Sequence, residues 1–273
     1  MTPVPMFHAR KKFGQHFLVD RSVIHRILDR ADLTPLDRVL EIGPGRGALT
    51  LPLARRVDRV LAVEKDRDLA ALLQASLTSR GVENVTLVTG DILHFDFTRF
   101  DPGSPGNALA MGNLPYNIST PVLERLIDHR RLFRRAVLMF QKEVADRLCA
   151  QPGSRTYGAL SVLVGYHAEV TRLLRVGKEA FRPRPRVDSA VVRLDFERPF
   201  SERAEDEAWF RRVVRAAFAH RRKTLQNALR TSFPDRTRDD VRRALLSAEL
   251  DPGVRAEALG IADFIRLSCT LAR

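Results

Sequence analysis

The chain is poor in cysteine and tryptophan, with two of the first and one of the second. It contains no apolar run approaching the ~18 residues that a membrane-spanning helix needs. The two cysteines, Cys149 and Cys269, stand far apart. That excludes a disulfide framework and a metal-spaced thiolate cluster, and the residues read as free thiols in a reducing compartment. No metal site is expected. Arg10, Lys11 and Lys12 are followed by no apolar stretch, so the N-terminus does not read as a secretory signal. The expected location is the cytoplasm. Acidic residues are the other shortage, 33 against 46 basic ones, for a net charge of +13 and a pI near 10.8. Such an excess suits a polyanionic partner. The basic residues also cluster, at Arg10-Lys11-Lys12, at Arg130-Arg131 with Arg134-Arg135, at Arg182, Arg184 and Arg186, and at Arg221-Arg222-Lys223. No basic amphipathic helix stands apart from the fold, which favours nucleic acid over a membrane surface.

What is present is a long alternation of short apolar runs and helical patterns, the signature of an α/β domain with a mostly parallel sheet. Strands are predicted at Arg38–Ile42, Arg59–Val63, Val85–Thr89, Ala108–Met111 and Ala136–Phe140. Val170–Val176 and Ala190–Phe196 read as late strands, an antiparallel pair at one edge. Helices fit at Asp20–Ala31, Asp66–Leu77 and Pro121–Asp128. Near Pro199 the character changes to helical periods alone, at Asp206–Ala219, Lys223–Ser232, Arg238–Ser247 and Ile261–Leu271, broken by Pro234 and Pro252-Gly253. The expected organisation is a Rossmann-like domain over residues 1–199, with an N-terminal segment 10–31 covering its ligand. A small all-helical domain over residues 200–273 follows.

Three features fall at the ends of successive strands. After the first comes Glu41-Ile42-Gly43-Pro44-Gly45-Arg46-Gly47, a glycine-rich turn that lets backbone approach a ligand, with a helix N-terminus behind it. Alone, that loop suits NAD or FAD equally, or is a tight turn with no ligand. The second strand ends at Glu64, whose carboxylate can accept from both hydroxyls of a ribose. The third ends in Gly90-Asp91, where a carboxylate can accept from an adenine amino group. Together they point to a nucleoside cofactor. The acidic Glu41 before glycines at every second position, without the wider G-x-G-x-x-G spacing, suits S-adenosylmethionine better than a dinucleotide.

Asn113-Leu114-Pro115-Tyr116 follows the fourth strand. It reads as a pocket for methylating the exocyclic amine of a purine or cytosine. Such an amine is a poor nucleophile, because its lone pair is delocalised into the ring. The Asn113 amide oxygen and the Leu114 carbonyl can accept its two N–H bonds, Pro115 restricts the backbone, and Tyr116 offers a flat face to the base. A strand ending in a turn is the plainer reading of the same residues. Phe181, just before Arg182-Pro183-Arg184-Pro185, is the candidate for a second stacking face or, equally, a core residue. The intervening prolines hold Arg182, Arg184 and Arg186 extended, as phosphate contacts, and Arg221, Arg222 and Lys223 read as further RNA-backbone contacts.

The chain resembles the KsgA-type ribosomal RNA adenine N6,N6-dimethyltransferase family almost end to end. The resemblance is carried by Lys12 through Leu18, the Gly43 loop, Gly112 through Thr120, Gln141 through Val144, Tyr157-Gly158, Phe181 through Arg193 and Arg221 through Thr224. It implies a class I S-adenosylmethionine-dependent methyltransferase fold with a small helical domain contributing to rRNA binding. The substrate it implies is two adjacent adenines in the 3′-terminal hairpin loop of small-subunit rRNA, within an assembling small subunit. Each adenine would receive two methyl groups, with S-adenosylhomocysteine as the other product and the enzyme acting as a monomer. Carried over by position, the cofactor contacts implied are His16, Leu18, Gly43, Glu64, Asp91 and Asn113, with Gly45 in the same loop. The resemblance also favours Phe181 as a stacking residue. His16 departs from the Asn that the family often carries there. Competing readings are an adenine N6-methyltransferase acting on DNA or large-subunit rRNA, and a non-catalytic RNA-binding assembly factor.

Overall fold

The structure, a computed structural model, describes residues 15–103, 108–220 and 222–272. Arg10 through Gly14 of the expected covering segment, and Arg221, lie outside these residues. The chain divides into two compact units, the first running to Ala145 and resuming at Thr171–Glu197, the second comprising Asp146–Val170 and Arg198–Arg273. The expected boundary at 199 falls within two residues of the second division. Residues 146–170, expected in the first domain, instead cluster with the helices. Their apolar residues explain this: Tyr157, Val162 and Tyr166 are buried in one core with Phe210, Val213 and Phe264.

The first unit is built on β1 (Phe17–Leu18), β2 (Arg38–Ile42), β3 (Arg59–Glu64), β4 (Val85–Thr89), β5 (Ala108–Asn113), β6 (Phe133–Gln141), β7 (Glu169–Val176), β8 (Phe181–Arg182) and β9 (Ser189–Asp195). Seven of these form one sheet in the order β4-β3-β2-β5-β6-β9-β7. The five strands from β4 to β6 are parallel, and β9 runs antiparallel to β6. Central strands such as β5 are apolar and buried nearly throughout, as expected where helices cover both faces. The strand order reverses between β2 and β5, which opens a crevice at their C-terminal ends.

Helices α1 (Arg21–Arg30), α2 (Thr50–Leu53), α3 (Arg67–Ser79) and α4 (Ser119–Asp128) lie among these strands. Two of them start where a carboxylate takes up otherwise unpaired N–H groups. Asp20 accepts from Ser22 and Val23 at α1, and Asp66 from Asp68 and Leu69 at α3. β1 is a two-residue strand paired antiparallel with β8, Phe17 opposite Arg182 and Leu18 opposite Phe181.

After α5 (Lys142–Leu148), the second unit holds α6 (Ala159–His167), α7 (Glu207–Phe218), α8 (Leu225–Ser232), α9 (Arg238–Ser247) and α10 (Ile261–Ala272). The last four match the predicted helical periods closely. α9 opens with a reciprocal cap, Thr237 Oγ1 accepting from Asp240 N while Asp240 Oδ2 accepts from Thr237 N. α6 was not predicted: its residues are apolar all round and show no helical stripe that sequence alone could register. No helix among the described residues is long and apolar enough to cross a membrane.

Candidate active site

A cleft of about 230 Å³ opens at the crevice between β2 and β5, lined by residues of the first unit alone. The predicted His16, Leu18, Gly43, Gly45, Glu64, Asp91, Asn113, Leu114, Pro115 and Tyr116 all line it. Gln15, Phe17, Lys65, Asp66 and Ile92 line it as well, without having been singled out. Gln15 and Phe17 lie inside a quoted motif and Lys65 is next to Glu64, so proximity in sequence was the available signal.

The glycine loop is held by its own backbone and by Glu64. Gly43 N donates to the Val63 carbonyl at 3.0 Å, and Gly90 N to the Glu64 carbonyl at 2.8 Å. The Glu64 carboxylate is shared between two backbone donors, Gly45 N on Oε2 at 2.9 Å and Asp66 N on Oε1 at 2.8 Å. Gly45 sits at φ +57°, and a Cβ there would meet the Phe17 ring at 3.3 Å. Glycine is therefore required twice, for its backbone angle and for the room it leaves. Arg46 covers the Phe17 ring, 5.0 Å from its centroid. The segment that begins at Gln15 thus lies across the loop, and Gln15 Nε2 donates to Asp66 Oδ2 at 3.3 Å.

Each carboxylate in the cleft has its own electrostatic setting. Burial raises Glu64 above the usual carboxylate range, and the two backbone N–H groups oppose that shift. Glu41 is buried, its Oε2 has no hydrogen-bond partner, and burial pushes its carboxyl up to about 8. At Asp91 burial also works against the charge, but the Lys65 ammonium at 2.7 Å and the Leu93 N–H at 3.0 Å outweigh it and hold the carboxyl below its usual value. A ligand amino group reaching Asp91 therefore meets a carboxylate that is ionised and already fixed.

These features fit the group that the sequence points to. Glu64 keeps lone pairs beyond the two it has committed, as ribose hydroxyls require. Gly45 carries no Cβ beside the Phe17 ring that lines the cleft, and the cleft lining also includes Glu41, whose buried Oε2 has no hydrogen-bond partner. S-adenosylmethionine would be held by Glu64 and Asp91 at its nucleoside and by the Gly43–Gly45 backbone.

Asn113 through Tyr116 adjoin this loop. Asn113 Nδ2 donates to the His16 carbonyl at 3.0 Å, which leaves Oδ1 as the amide atom able to accept from a ligand amine. Leu114 is buried, so it can offer only its backbone to a ligand. Tyr116 is half-buried and fixed at both ends, its ring stacked on His16 with centroids 5.6 Å apart and its hydroxyl 3.2 Å from Ser189 Oγ. Burial raises the Tyr116 hydroxyl above its usual pKa, so it stays neutral at physiological pH.

Phe181, the candidate for a second stacking face, lies in the core in this structure. It is fully buried, paired with Leu18 across β1 and β8 and packed in the core with Val23, Val176 and Val191. An apolar aromatic on the covered side of a short ladder is drawn inward, since burying it stabilises by roughly 2–3 kcal/mol.

The arginines separate into two groups. Arg182, at the end of β8, and Arg184 and Arg186 just after it are exposed. Arg182 Nη1 donates to the Glu179 and Phe181 carbonyls, and Arg184 is 4.0 Å from Glu179. Arg222 and Lys223 are exposed in the second unit, with Lys223 Nζ donating to Thr231 Oγ1 at 3.1 Å. Arg134 and Arg135, counted among the basic clusters, are internally neutralised instead. Arg134 binds both carboxylate oxygens of buried Asp37 at 2.8 Å, and Arg135 pairs with Asp32 and, at 3.2 Å, with Asp195. They lie at the N-terminal end of β6.

Comparison with known proteins agrees with this arrangement. A profile of the family described as Ribosomal RNA adenine dimethylase matches residues 6–273. The chain is 48% identical to a protein named Ribosomal RNA small subunit methyltransferase A from Syntrophotalea carbinolica, over 95% of each chain. It is also 48% identical to the protein of that name from Magnetococcus marinus, over 95% of this chain and 91% of the other. Among solved structures it is similar to a dimethyladenosine transferase from Plasmodium falciparum, with a TM-score of 0.77, 27% identity, and 92% and 96% of the two chains covered. A 23S rRNA methyltransferase, ErmE, superposes with a TM-score of 0.69 and 28% identity over 94% of this chain and all of its own.

Proposed function

The chain belongs to the ribosomal RNA adenine dimethylase family, and from that premise we infer how its cleft serves the reaction. It is an S-adenosylmethionine-dependent rRNA adenine methyltransferase. The acceptors are the N6 amines of two adjacent adenines in the 3′-terminal hairpin loop of small-subunit rRNA, each dimethylated while the subunit assembles. The relatives at 48% identity are named for the small subunit, which favours this substrate over large-subunit rRNA. The enzyme works in the cytoplasm as a monomer, as the family resemblance implies.

The observation that carries the reading is Asn113. Its Nδ2 is committed to the His16 carbonyl, so the amide cannot turn and Oδ1 faces the amine as an acceptor. With the Leu114 carbonyl as second acceptor, both N–H bonds of an adenine amine are satisfied and its lone pair becomes available. S-adenosylmethionine, when bound, supplies the electrophilic methyl group. The chain's own residues position the amine, and holding two reactants in register is enough to contribute several kcal/mol. No buried general base is called for, because the amine proton becomes acidic on alkylation and passes to solvent. Tyr116 receives the flipped base, and stacking on one aromatic face offsets roughly 1–3 kcal/mol of the unstacking cost. Arg182, Arg184 and Arg186, on and just after the strand that pairs with cleft-lining β1, hold the flanking phosphates. Arg221, Arg222 and Lys223 add contacts from the helical unit.

Mass mapping of adenines in small-subunit rRNA, in cells carrying wild-type protein or Asn113→Ala, tests this. Dimethyladenine at the hairpin should disappear in the variant while the protein keeps its thermal stability. Unchanged modification, or label appearing only in large-subunit rRNA or DNA, would refute the assignment.

A further inference from the structure

We propose that His16 is a positioning residue, which sets the amine-binding side chains and couples them to the arginine segment. The proposal rests on the function above and goes beyond it, because it moves His16 from the cofactor side of the cleft to the acceptor side.

His16 makes three contacts, each with a different part of the acceptor machinery. Its carbonyl accepts from Asn113 Nδ2 at 3.0 Å. Its ring stacks on Tyr116, with centroids 5.6 Å apart and planes 28° from parallel. Its Nδ1 lies 2.8 Å from the Pro183 carbonyl, between Arg182 and Arg184. A carbonyl oxygen can only accept, so Nδ1 is the protonated nitrogen. The β1–β8 ladder holds the two segments side by side, with Phe17 opposite Arg182.

The spacing says what the ring does. A base intercalated between His16 and Tyr116 needs two contact distances of about 3.5 Å each, or roughly 7 Å. At 5.6 Å there is no room, so the base takes the other face of Tyr116 and His16 backs it. With Ser189 Oγ at the Tyr116 hydroxyl, the ring is held behind and at its tip. The Nδ1 bond links this assembly to the segment bearing Arg182, Arg184 and Arg186, so that phosphate capture and base placement share one rigid connection. The side chain also fixes where its own carbonyl lies, and with it the Asn113 amide.

Substitution separates the two roles of the side chain. Asn carries an amide N–H where His carries Nδ1–H, so His16→Asn keeps a donor for Pro183 and loses the ring. His16→Phe keeps the ring and loses the donor. His16→Ala loses both. Each would be assayed with labelled S-adenosylmethionine and small-subunit particles lacking the modification, measuring single-turnover rate, particle KM and cofactor Kd by calorimetry. His16→Ala should lower the single-turnover rate roughly 10- to 100-fold, with cofactor Kd changed by less than about threefold. His16→Phe should recover mainly the rate, and His16→Asn mainly the particle KM. The proposal is overturned if cofactor Kd weakens in step with the rate, if the rate is unchanged, or if His16→Ala is faster, which would make the ring a plug in the base's place. Should His16→Ala fail to fold, the Asn and Phe variants decide: the same parameter moved equally in both also overturns it. A wild-type protein that binds cofactor and leaves the particle unmethylated overturns the proposed function and this inference together. Any of the His16 outcomes with an active wild type overturns this inference alone.

Discussion

At the scale of single residues, the cleft is dominated by carboxylates kept in unlike states. Asp91 is held ionised by Lys65 and a backbone N–H, whereas Glu41 is desolvated and its Oε2 has no hydrogen-bond partner. The second has a consequence for pH. Burial moves Glu41 from the ordinary 4.5 to about 8, so between those values the folded chain holds a proton that the unfolded chain has released. A raised carboxyl therefore contributes stability that is complete below about pH 4.5 and lost as pH rises through about 8. Glu41→Gln removes that dependence. Urea unfolding without cofactor should show the variant gaining on wild type by up to a few kcal/mol between about pH 5 and about pH 9. A constant difference across that range would mean that Glu41 is charged in the fold.

At the scale of elements, the cleft depends on how closely β2 and β5 approach. A Cβ at Gly112 would lie 2.4 Å from the Ile42 carbonyl, a backbone atom that cannot swing aside. Gly112 precedes Asn113, so the same tight contact that packs the sheet also sets where the amide emerges. Gly112→Ala should destabilise the protein by about 1–3 kcal/mol or more, the cost of overpacking, and should weaken methyl transfer through Asn113. Thermal unfolding beside the transfer assay checks both, and an unchanged melting temperature would show that the two strands can separate locally. Capping explains why the helix starts were legible. Asp20, Asp66, Asp206 and Thr237 are ordinary N-cap residues and each occupies that position.

At the scale of the whole molecule, a net charge of +13 describes the chain but not its surface. Part of that charge is consumed internally. Arg134 sits on Asp37, whose side chain is 3% exposed, and removing the arginine would strand a buried carboxylate. Arg134→Ala should cost about 3–5 kcal/mol of stability and leave the salt dependence of RNA binding unaltered. Arg184→Ala should do the reverse, with little change in stability and a slope of log K against log salt shallower by roughly one contact's worth, about 0.7 for single-stranded RNA. Titrating a labelled hairpin RNA at several salt concentrations distinguishes them. Equal slopes for wild type and Arg184→Ala would remove that residue from the phosphate contacts.

The sheet, the cleft and its polar lining are legible in the chain, because those follow from local order. Apolar runs ending in Glu64, Asp91 and Asn113, separated by helical patterns, can only deliver three polar residues to one end of a parallel sheet. Tertiary structure decided what each candidate touches. Nothing near Phe181 in the chain distinguishes a stacking face from a core residue; pairing with Leu18 buries it. Nothing near Arg134 announces Asp37, 97 residues away. The segment 146–170 joins the helical unit because its apolar side chains find partners there. His16 reaches Asn113 and Pro183 only after β1 lies down beside β8. Periodicity and motif spacing report on neighbours along the chain. Burial and pairing are settled by contacts between residues far apart in it, and those exist only once the fold has formed.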